Sequence, residues 1–288
     1  MLITANTKVI GLFGYPLKHT LSPLMHNAVL EKMGLDYVYI PFEVNPGNVK
    51  DAVKSIKSLN FLGVNVTVPF KEEVIAYLDE LSDEALACQA VNLIKNDNGR
   101  LIGDNTDGKG FLESLKEEGI PLKGKAVIIG AGGAARAISY TMAKAGFAPI
   151  CFFDLNGSKA EALAEFIENK TGIRTAAGTM SEDVFLRESG DADIIINCSP
   201  VGMYPDIEAL PVKKLDGINP DAVICDIVYN PLETLFLRKA KEKGHKVVNG
   251  IGMFVYQGAL TLQILTGFNP PVELMKEVVY RHVRGRKG

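Results

Sequence analysis

One short run constrains this chain more than any other. Lys125-Ala126-Val127-Ile128-Ile129 leads into Gly130-Ala131-Gly132-Gly133-Ala134-Ala135, and an apolar-periodic stretch continues to Ala145. A buried strand, a GxGxxA turn and the start of a helix make one half of a doubly wound α/β unit. The first glycine permits the tight turn, and the second lets a backbone approach a pyrophosphate. The small third residue lets helix and strand pack closely. The helix N-terminus offers free N–H groups and partial positive charge to phosphates. The next strand ends in Asp154, 24 residues after Gly130, close to the roughly 20 expected of an acid that hydrogen-bonds a dinucleotide's ribose. Gly130, Ala131, Gly132, Gly133 and Ala134 are therefore candidate pyrophosphate contacts, with Asp154 the candidate ribose contact or simply a cap for the helix after it.

The rest of that half keeps the rhythm. Short apolar strands are predicted at 126–129, 150–153, 193–197, 223–227 and 246–248, with helices at 134–145, 159–168 and 232–243 between them. Alternation of this kind implies a parallel sheet with helices on both faces. Before it lies a mixed segment. Strands are expected at 8–13, 37–42 and 62–68, and helices from Pro23 with Ser22 as N-cap, over 49–59, over about 71–78, and from about Asp83. Asn98-Gly99 marks a hairpin. After it come two helical stretches, 253–265 and 272–283. The expected fold is α/β: a first domain over 1–105, a Rossmann domain over 106–248, and C-terminal helices over 249–288 returning to the first domain. The chain crosses between domains near Asp107 and Gly250.

Composition excludes several function classes. With 288 residues, 47% hydrophobic and 23% charged, the chain can bury a core and is not of the disordered class. The formal net charge is −3, so no global basic field favours nucleic acid. The basic ending from Arg281 to Lys287 reads as a solvated tail. No apolar run approaches the roughly 18 residues a spanning helix needs, and no signal peptide is visible at the start. Cys88, Cys151, Cys198 and Cys225 form no CxxC pair and read as buried, reduced thiols of a cytoplasmic protein. His19 and His26 have no companions at zinc spacing and read as structural, so no metal is expected.

Polar groups gather outside the nucleotide half. Gly63 to Lys71 carries Asn65 and Thr67 on one face of a strand, with Lys71 just past its end. Asn92 follows Ala90-Val91, and Gly103 to Gly108 adds Asp104 and Asp107. Amides, hydroxyls, an amine and a carboxylate suit a small, hydroxyl-rich anion; an apolar ligand would leave them unpaired.

These segments resemble the shikimate dehydrogenase family. The matching stretches are GYPLKHTLSPLMHN (14–27), GVNVTVPFKEE (63–73), AVN (90–92), GDNTDG (103–108), GAGGAARA (130–137), INCSPVGMYP (196–205), DIVYNPLET (226–234) and NGIGMFVYQGAL (249–260). The resemblance implies reversible NAD(P)-dependent reduction of 3-dehydroshikimate to shikimate in aromatic amino-acid biosynthesis, with no nucleic-acid or membrane partner and a possible homodimer. It implies that Thr20, Ser22, Asn65, Thr67, Asn92 and Gln257 bind substrate and that Tyr229 lies on the substrate side. Lys71 and Asp107 would form the catalytic dyad. Ile227 and Gly250 would lie near the nicotinamide, and Asp83 matches a position associated with the cofactor. Alternatives are a quinate/shikimate dehydrogenase and a non-catalytic dinucleotide sensor; the intact dyad argues against the sensor.

Two positions depart from the family pattern. Thr20 stands where the family usually has Ser, which narrows the pocket and bears on the shikimate/quinate preference. Asp154-Leu155-Asn156 stands where the common NADP form has Asn-Arg-Thr. A carboxylate there accepts ribose hydroxyls and repels a 2′-phosphate. Residues 155–158 contain no Arg, and Lys159 is the nearest cation, so local physics favours NAD against the family default of NADP.

Overall fold

Short runs of β-branched and aromatic residues form two six-stranded sheets, and the chain divides into two compact units. The computed structural model describes residues 2–285. Unit 1 comprises 1–107 and 255–282, and unit 2 comprises 108–254 and 283–288. Of the basic ending expected as a solvated tail, 281–285 instead continue the last helix, with Val283 buried, and 286–287 lie outside the described residues.

In unit 1, β1 (Lys8–Gly14) runs parallel to β2 (Tyr37–Glu43) and to β3 (Gly63–Val66). β3 pairs antiparallel with β5 (Leu93–Asp97), β5 with β6 (Arg100–Asp104), and β4 (Glu80–Leu81) lies parallel to β6. The sheet order is β2-β1-β3-β5-β6-β4. Pro41 is tolerated because β2 is an edge strand. Asn98 and Gly99 both take positive φ in the β5–β6 turn, the chemistry a two-residue hairpin requires. Helices α1 (Ser22–Lys32), α2 (Val49–Ser58) and α3 (Asp83–Cys88) complete this segment. Val53, Ile56, Val64, Val66, Phe70 and Val74 share one core cluster.

In unit 2, β7 (Gly124–Ile129), β8 (Phe147–Asp154), β9 (Thr175–Thr179), β10 (Ile194–Asn197), β11 (Val223–Asp226) and β12 (Val247–Val248) pair in parallel throughout. Their order, β12-β11-β10-β7-β8-β9, reverses direction between β7 and β10. This is the doubly wound dinucleotide-binding arrangement, with its crevice at the carboxyl ends of those two strands. The connecting helices are α5 (Gly133–Ala145), α6 (Gly157–Thr171), α7 (Glu182–Ser189) and α8 (Leu235–Glu242). Clusters on both sheet faces bury it, one including Ile128, Phe152 and Ile196, the other Val127, Phe153 and Ile195. Helix α4 (Asp107–Glu117) opens at the boundary, and α9 (Ile251–Thr266) and α10 (Val272–Gly285) end the chain.

Some local expectations change. Residues 71–78 form no full helix; a 3-10 turn spans Glu73–Tyr77, because β4 follows at once. Ser22 is not the cap of α1. Met25 N–H already bonds to the Leu21 carbonyl, so the helix starts one residue earlier with Leu21 at the N-cap. Asp154 does not cap α6 either, since Asn156 holds that position.

Candidate active site

Lys71, Asp107, Asn92 and Asn65 of unit 1 belong to one connected network. Lys71 follows β3, and its Nζ donates to Asp107 Oδ2 at 2.5 Å, with side-chain exposures of 15% and 5%. Such burial leaves the pair little screened by solvent. Asp107 opens α4, where the helix dipole favours an acid. Asn92 Nδ2 donates to Asp107 Oδ1 at 2.8 Å and to Thr106 Oγ1 at 2.9 Å, while Asn92 Oδ1 accepts from Thr106 N–H at 2.9 Å. Asn105 Oδ1 accepts from Asp107 N–H, and Asn105 Nδ2 donates to the Ala90 carbonyl. Each carboxylate oxygen of Asp107 thus meets a different donor, Lys71 at Oδ2 and Asn92 at Oδ1.

Asn65 is equally fixed. Its Oδ1 accepts from Tyr39 Oη at 2.9 Å, and its Nδ2 donates to the Asn92 carbonyl at 3.0 Å and to Thr261 Oγ1 at 3.1 Å. Tyr39 is held by Asn27 through both backbone groups and stacks on His26 at 4.3 Å. Burial pushes the His26 imidazole down to about 3, so it packs as a neutral ring. The Gln257 carbonyl accepts from Thr106 Oγ1 at 3.1 Å. Thr20 Oγ1 donates to Ser22 Oγ at 3.3 Å and accepts from Ser22 N–H. Half-buried Thr67 follows β3 directly, with its N–H bonded to the Phe13 carbonyl.

The structure thus joins Lys71, Asp107, Asn92, Asn65 and the Gln257 backbone by hydrogen bonds. Thr20 and Ser22 pair with each other. Asp83 is exposed at the first turn of α3 in unit 1. The network also holds Tyr39, Thr106 and Thr261, which the sequence reading does not single out. Thr106 lies inside the GDNTDG stretch, and Thr261 lies one helical turn beyond Gln257, so spacing alone signals it. Tyr39, 26 residues before Asn65 in sequence, carries no local signal.

In unit 2 the glycine turn has the expected form. Gly130 takes φ +100, and a Cβ there would lie 3.0 Å from Ser199 N. Gly132, by contrast, has φ −87 at the N-cap of α5, and a Cβ there would meet nothing within 4 Å. The fold does not require glycine at 132, whereas a pyrophosphate approaching the helix N-terminus does. No side chain caps that N-terminus, and no acid stands in its first turn. Asp154 Oδ2 accepts from Ala131 N–H at 2.9 Å and Oδ1 from Asn156 N–H at 2.8 Å. Its carboxylate is therefore fixed at the end of β8 with lone pairs to spare for ribose hydroxyls. These residues fit a nicotinamide dinucleotide. A Cβ on Gly250 would lie 2.2 Å from the Ile227 carbonyl oxygen, so these two predicted nicotinamide neighbours touch. Tyr229 stacks on Phe254 at 4.4 Å.

Among the described residues no group of three or more His, Cys, Asp or Glu side chains could hold a metal ion, and no helix is long and apolar enough to cross a membrane. All four cysteines are free and buried. Burial pushes the Cys151 thiol up to about 11 and those of Cys198 and Cys225 further, so none of these three is activated as a nucleophile.

A doubly wound sheet with this glycine turn, and a second α/β unit carrying a buried lysine–carboxylate pair among amides and hydroxyls, define the class: a nicotinamide-dinucleotide-dependent oxidoreductase. Residues 12–94 match the shikimate dehydrogenase substrate binding domain and 250–280 the shikimate 5′-dehydrogenase C-terminal domain. A shikimate dehydrogenase (NADP(+)) of Syntrophomonas wolfei is 50% identical over 286 residues, spanning 99% of each chain. Among solved structures, a shikimate dehydrogenase in complex with NADP+ superposes with a TM-score of 0.91 at 42% identity, covering 98% of both chains. The Listeria monocytogenes enzyme in complex with shikimate and NAD gives 0.89 at 38% identity, covering 96% of this chain and 98% of the other. The chain belongs to the shikimate dehydrogenase family.

Proposed function

We propose that this chain catalyses the reversible dinucleotide-dependent reduction of 3-dehydroshikimate to shikimate in aromatic amino-acid biosynthesis, with Lys71 and Asp107 as its acid–base dyad. The carrying observation is the 2.5 Å Lys71–Asp107 pair, whose second carboxylate oxygen is fixed by Asn92. The bound dinucleotide supplies or accepts the hydride. Lys71 retains Nζ hydrogens beyond the one given to Asp107, and one of them polarises the substrate carbonyl oxygen and is transferred to it. In oxidation the neutral Lys71 amine removes the hydroxyl proton. Asp107 holds the ammonium in place and stabilises its charge without itself exchanging a proton.

The substrate shell follows from saturation. Both Nδ2 hydrogens of Asn65 and both of Asn92 are spent inside the protein. Asn65 therefore meets a substrate hydroxyl through the remaining lone pair of its Oδ1, and Asn92 serves mainly to aim Asp107. Thr20, Ser22 and Thr67 supply hydroxyl donors for the substrate carboxylate and hydroxyls, with the Gln257 side chain completing the set; Tyr229, on unit 2, enters as a substrate residue by family position alone. Unit 1 takes the substrate, and unit 2 takes the dinucleotide through residues 130–134, Asp154, Ile227 and Gly250. Asp83, on unit 1, enters as a cofactor residue by family position alone. Four buried thiols outside any disulfide accord with a reducing, cytoplasmic setting.

NAD is the preferred dinucleotide in this reading. The fixed Asp154 carboxylate repels a 2′-phosphate, and exposed Leu155 offers it no donor. The test is kcat/KM for shikimate oxidation with NAD and NADP, repeated with quinate. Wild type is expected to favour NAD at least tenfold, and Asp154→Asn to narrow that ratio. A wild-type preference for NADP refutes the role given to Asp154. Absence of shikimate turnover with either dinucleotide refutes the enzyme reading, and faster turnover of quinate moves the assignment to the quinate/shikimate branch.

A further inference from the structure

Beneath the carboxyl ends of β10 and β11 lies a buried carboxylate that the chemistry above does not use. Asp226, the last residue of β11, is 2% exposed. Its Oδ1 accepts from Asn197 Nδ2 at 3.1 Å and from Val228 N–H at 3.0 Å, and its Oδ2 accepts from Thr234 Oγ1 at 2.7 Å. Each donor belongs to a different segment. Asn197 ends β10, and its own Oδ1 accepts from the backbone and hydroxyl of Ser199. Val228 lies in the loop after β11. Thr234 caps α8 by accepting from Leu237 N–H.

These segments surround the second half of the crevice. The first mononucleotide half, β7 to β9, carries the glycine turn and Asp154, so the nicotinamide half falls to β10 to β12. The loop after β10 abuts the glycine turn, since a Cβ on Gly130 would lie 3.0 Å from Ser199 N and 3.1 Å from the Cys198 carbonyl carbon. The loop after β11 is gripped from its far side as well, for Gly250 N–H bonds to the Val228 carbonyl at 3.2 Å. One carboxylate therefore sets the mutual placement of both loops.

Holding it there is costly. Burial pushes the Asp226 carboxyl up to about 7 despite three hydrogen bonds that favour its ionised form. A polar group kept buried against such a desolvation penalty marks a position where geometry is needed for more than packing.

We propose that Asp226 is a positioning residue that fixes the loops after β10 and β11 as the receiving wall for the nicotinamide half of the dinucleotide. The proposal rests on the dinucleotide reading of unit 2. Asp226 touches no reacting atom; it acts through the backbone at Ser199, Ile227 and Val228.

Calorimetric titration of the full chain with NAD and with ADP tests it. ADP occupies only the half formed by the glycine turn, so it serves as an internal reference. Asp226→Ala is expected to raise the Kd for NAD at least tenfold and to change the Kd for ADP less than twofold. Asp226→Asn keeps an Oδ1 acceptor for Asn197 and Val228 and turns an N–H toward Thr234 Oγ1, so it should restore NAD affinity to within threefold of wild type. Thr234→Val removes one donor without emptying the core and should fall between, which covers a poorly folding alanine variant. Equal weakening of NAD and ADP, unaltered NAD binding in both Asp226→Ala and Thr234→Val, or failure of Asp226→Asn to rescue each overturns the positioning role. If the wild-type chain binds ADP but not NAD or NADP, the underlying dinucleotide reading fails instead, and does so before any variant is compared.

Discussion

Replacing His26 by Phe should remove a specific part of this protein's acid sensitivity. His26 is wholly buried against Tyr39, and burial lowers its imidazole from 6.5 to about 3. Between those values the unfolded chain binds a proton that the folded chain refuses. The unfolded state then holds more protons, so stability is intact above pH 6.5 and is lost as the pH falls toward 3. Applying linkage to the two values gives a loss of about 2 kcal/mol between pH 7 and pH 5, rising to about 4 kcal/mol near pH 3. Asp226 acts in the opposite sense. Its carboxyl is raised from 3.8 to about 7, so the folded chain retains a proton that the unfolded chain releases. That contribution is present at low pH, is lost as the pH rises through 7, and amounts to about 2 kcal/mol between pH 5 and pH 7. The wild-type profile therefore conceals both, and only subtraction isolates one. Denaturant unfolding of wild type and His26→Phe at pH 7 and pH 5 gives the required difference of differences. Phe keeps the ring stack and does not titrate, so any packing cost cancels between the two pH values. The variant should lose about 2 kcal/mol less than wild type on acidification. Agreement of the two changes to within about 0.5 kcal/mol would mean that His26 is not held neutral by the fold.

Three further outcomes follow from the site geometry. Lys71→Ala should lower kcat by roughly 10²–10⁴-fold, the usual scale of a lost general acid, with a much smaller change in shikimate Kd; near-normal turnover by steady-state assay would remove Lys71 from the chemistry. Asn92→Ala strips the Thr106 N–H and Asp107 Oδ1 of their buried partner, which should cost about 1–3 kcal/mol in denaturant unfolding and lower kcat by misaiming Asp107; a variant of full stability and activity would contradict its aiming role. Gly132→Ala should fold at least as well as wild type, with a gain of up to about 1 kcal/mol from reduced unfolded-chain entropy, while dinucleotide Kd rises at least tenfold by titration; unaltered affinity would show that no pyrophosphate passes that position.

What the sequence makes legible follows the range of the interaction. The parallel sheet of unit 2 is readable because each strand is a continuous apolar run and each helix a periodic one, both local patterns. Edge elements carry less signal. β9 (TAAGT) presents one covered flank and little apolar area, and α7 is only eight residues long, so neither is anticipated. The cap of α1 is misassigned by one residue because Ser22 has the right chemistry for a cap, but its hydroxyl is engaged by Thr20 instead. The Lys71–Asp107 ion pair is legible from two intact stretches, and the glycine turn from spacing. The hydrogen bonds that aim these residues are not, since Tyr39 reaches Asn65 across 26 positions and Thr261 reaches it across 196. Pairings at such separation exist only after the sheet has formed.

The same distinction explains how a nearly neutral chain can meet two anionic ligands. A net charge of −3 speaks to long-range steering and supplies no global attraction for a polyanion, but it is uninformative about a site only a few ångströms wide. In unit 2 an uncapped helix start presents backbone N–H groups, which carry no formal charge yet attract an anion. In unit 1 one ammonium is matched by one carboxylate, and the amides around them are spent holding that pair in place. On the proposed reading, specificity is carried by saturation rather than by charge: every donor already committed inside the protein is one that a wrong ligand cannot recruit. A ligand lacking the right hydroxyls leaves the remaining lone pairs of Asn65 and Asp107 buried and unmet, and that penalty, rather than any attraction, is what rejects it.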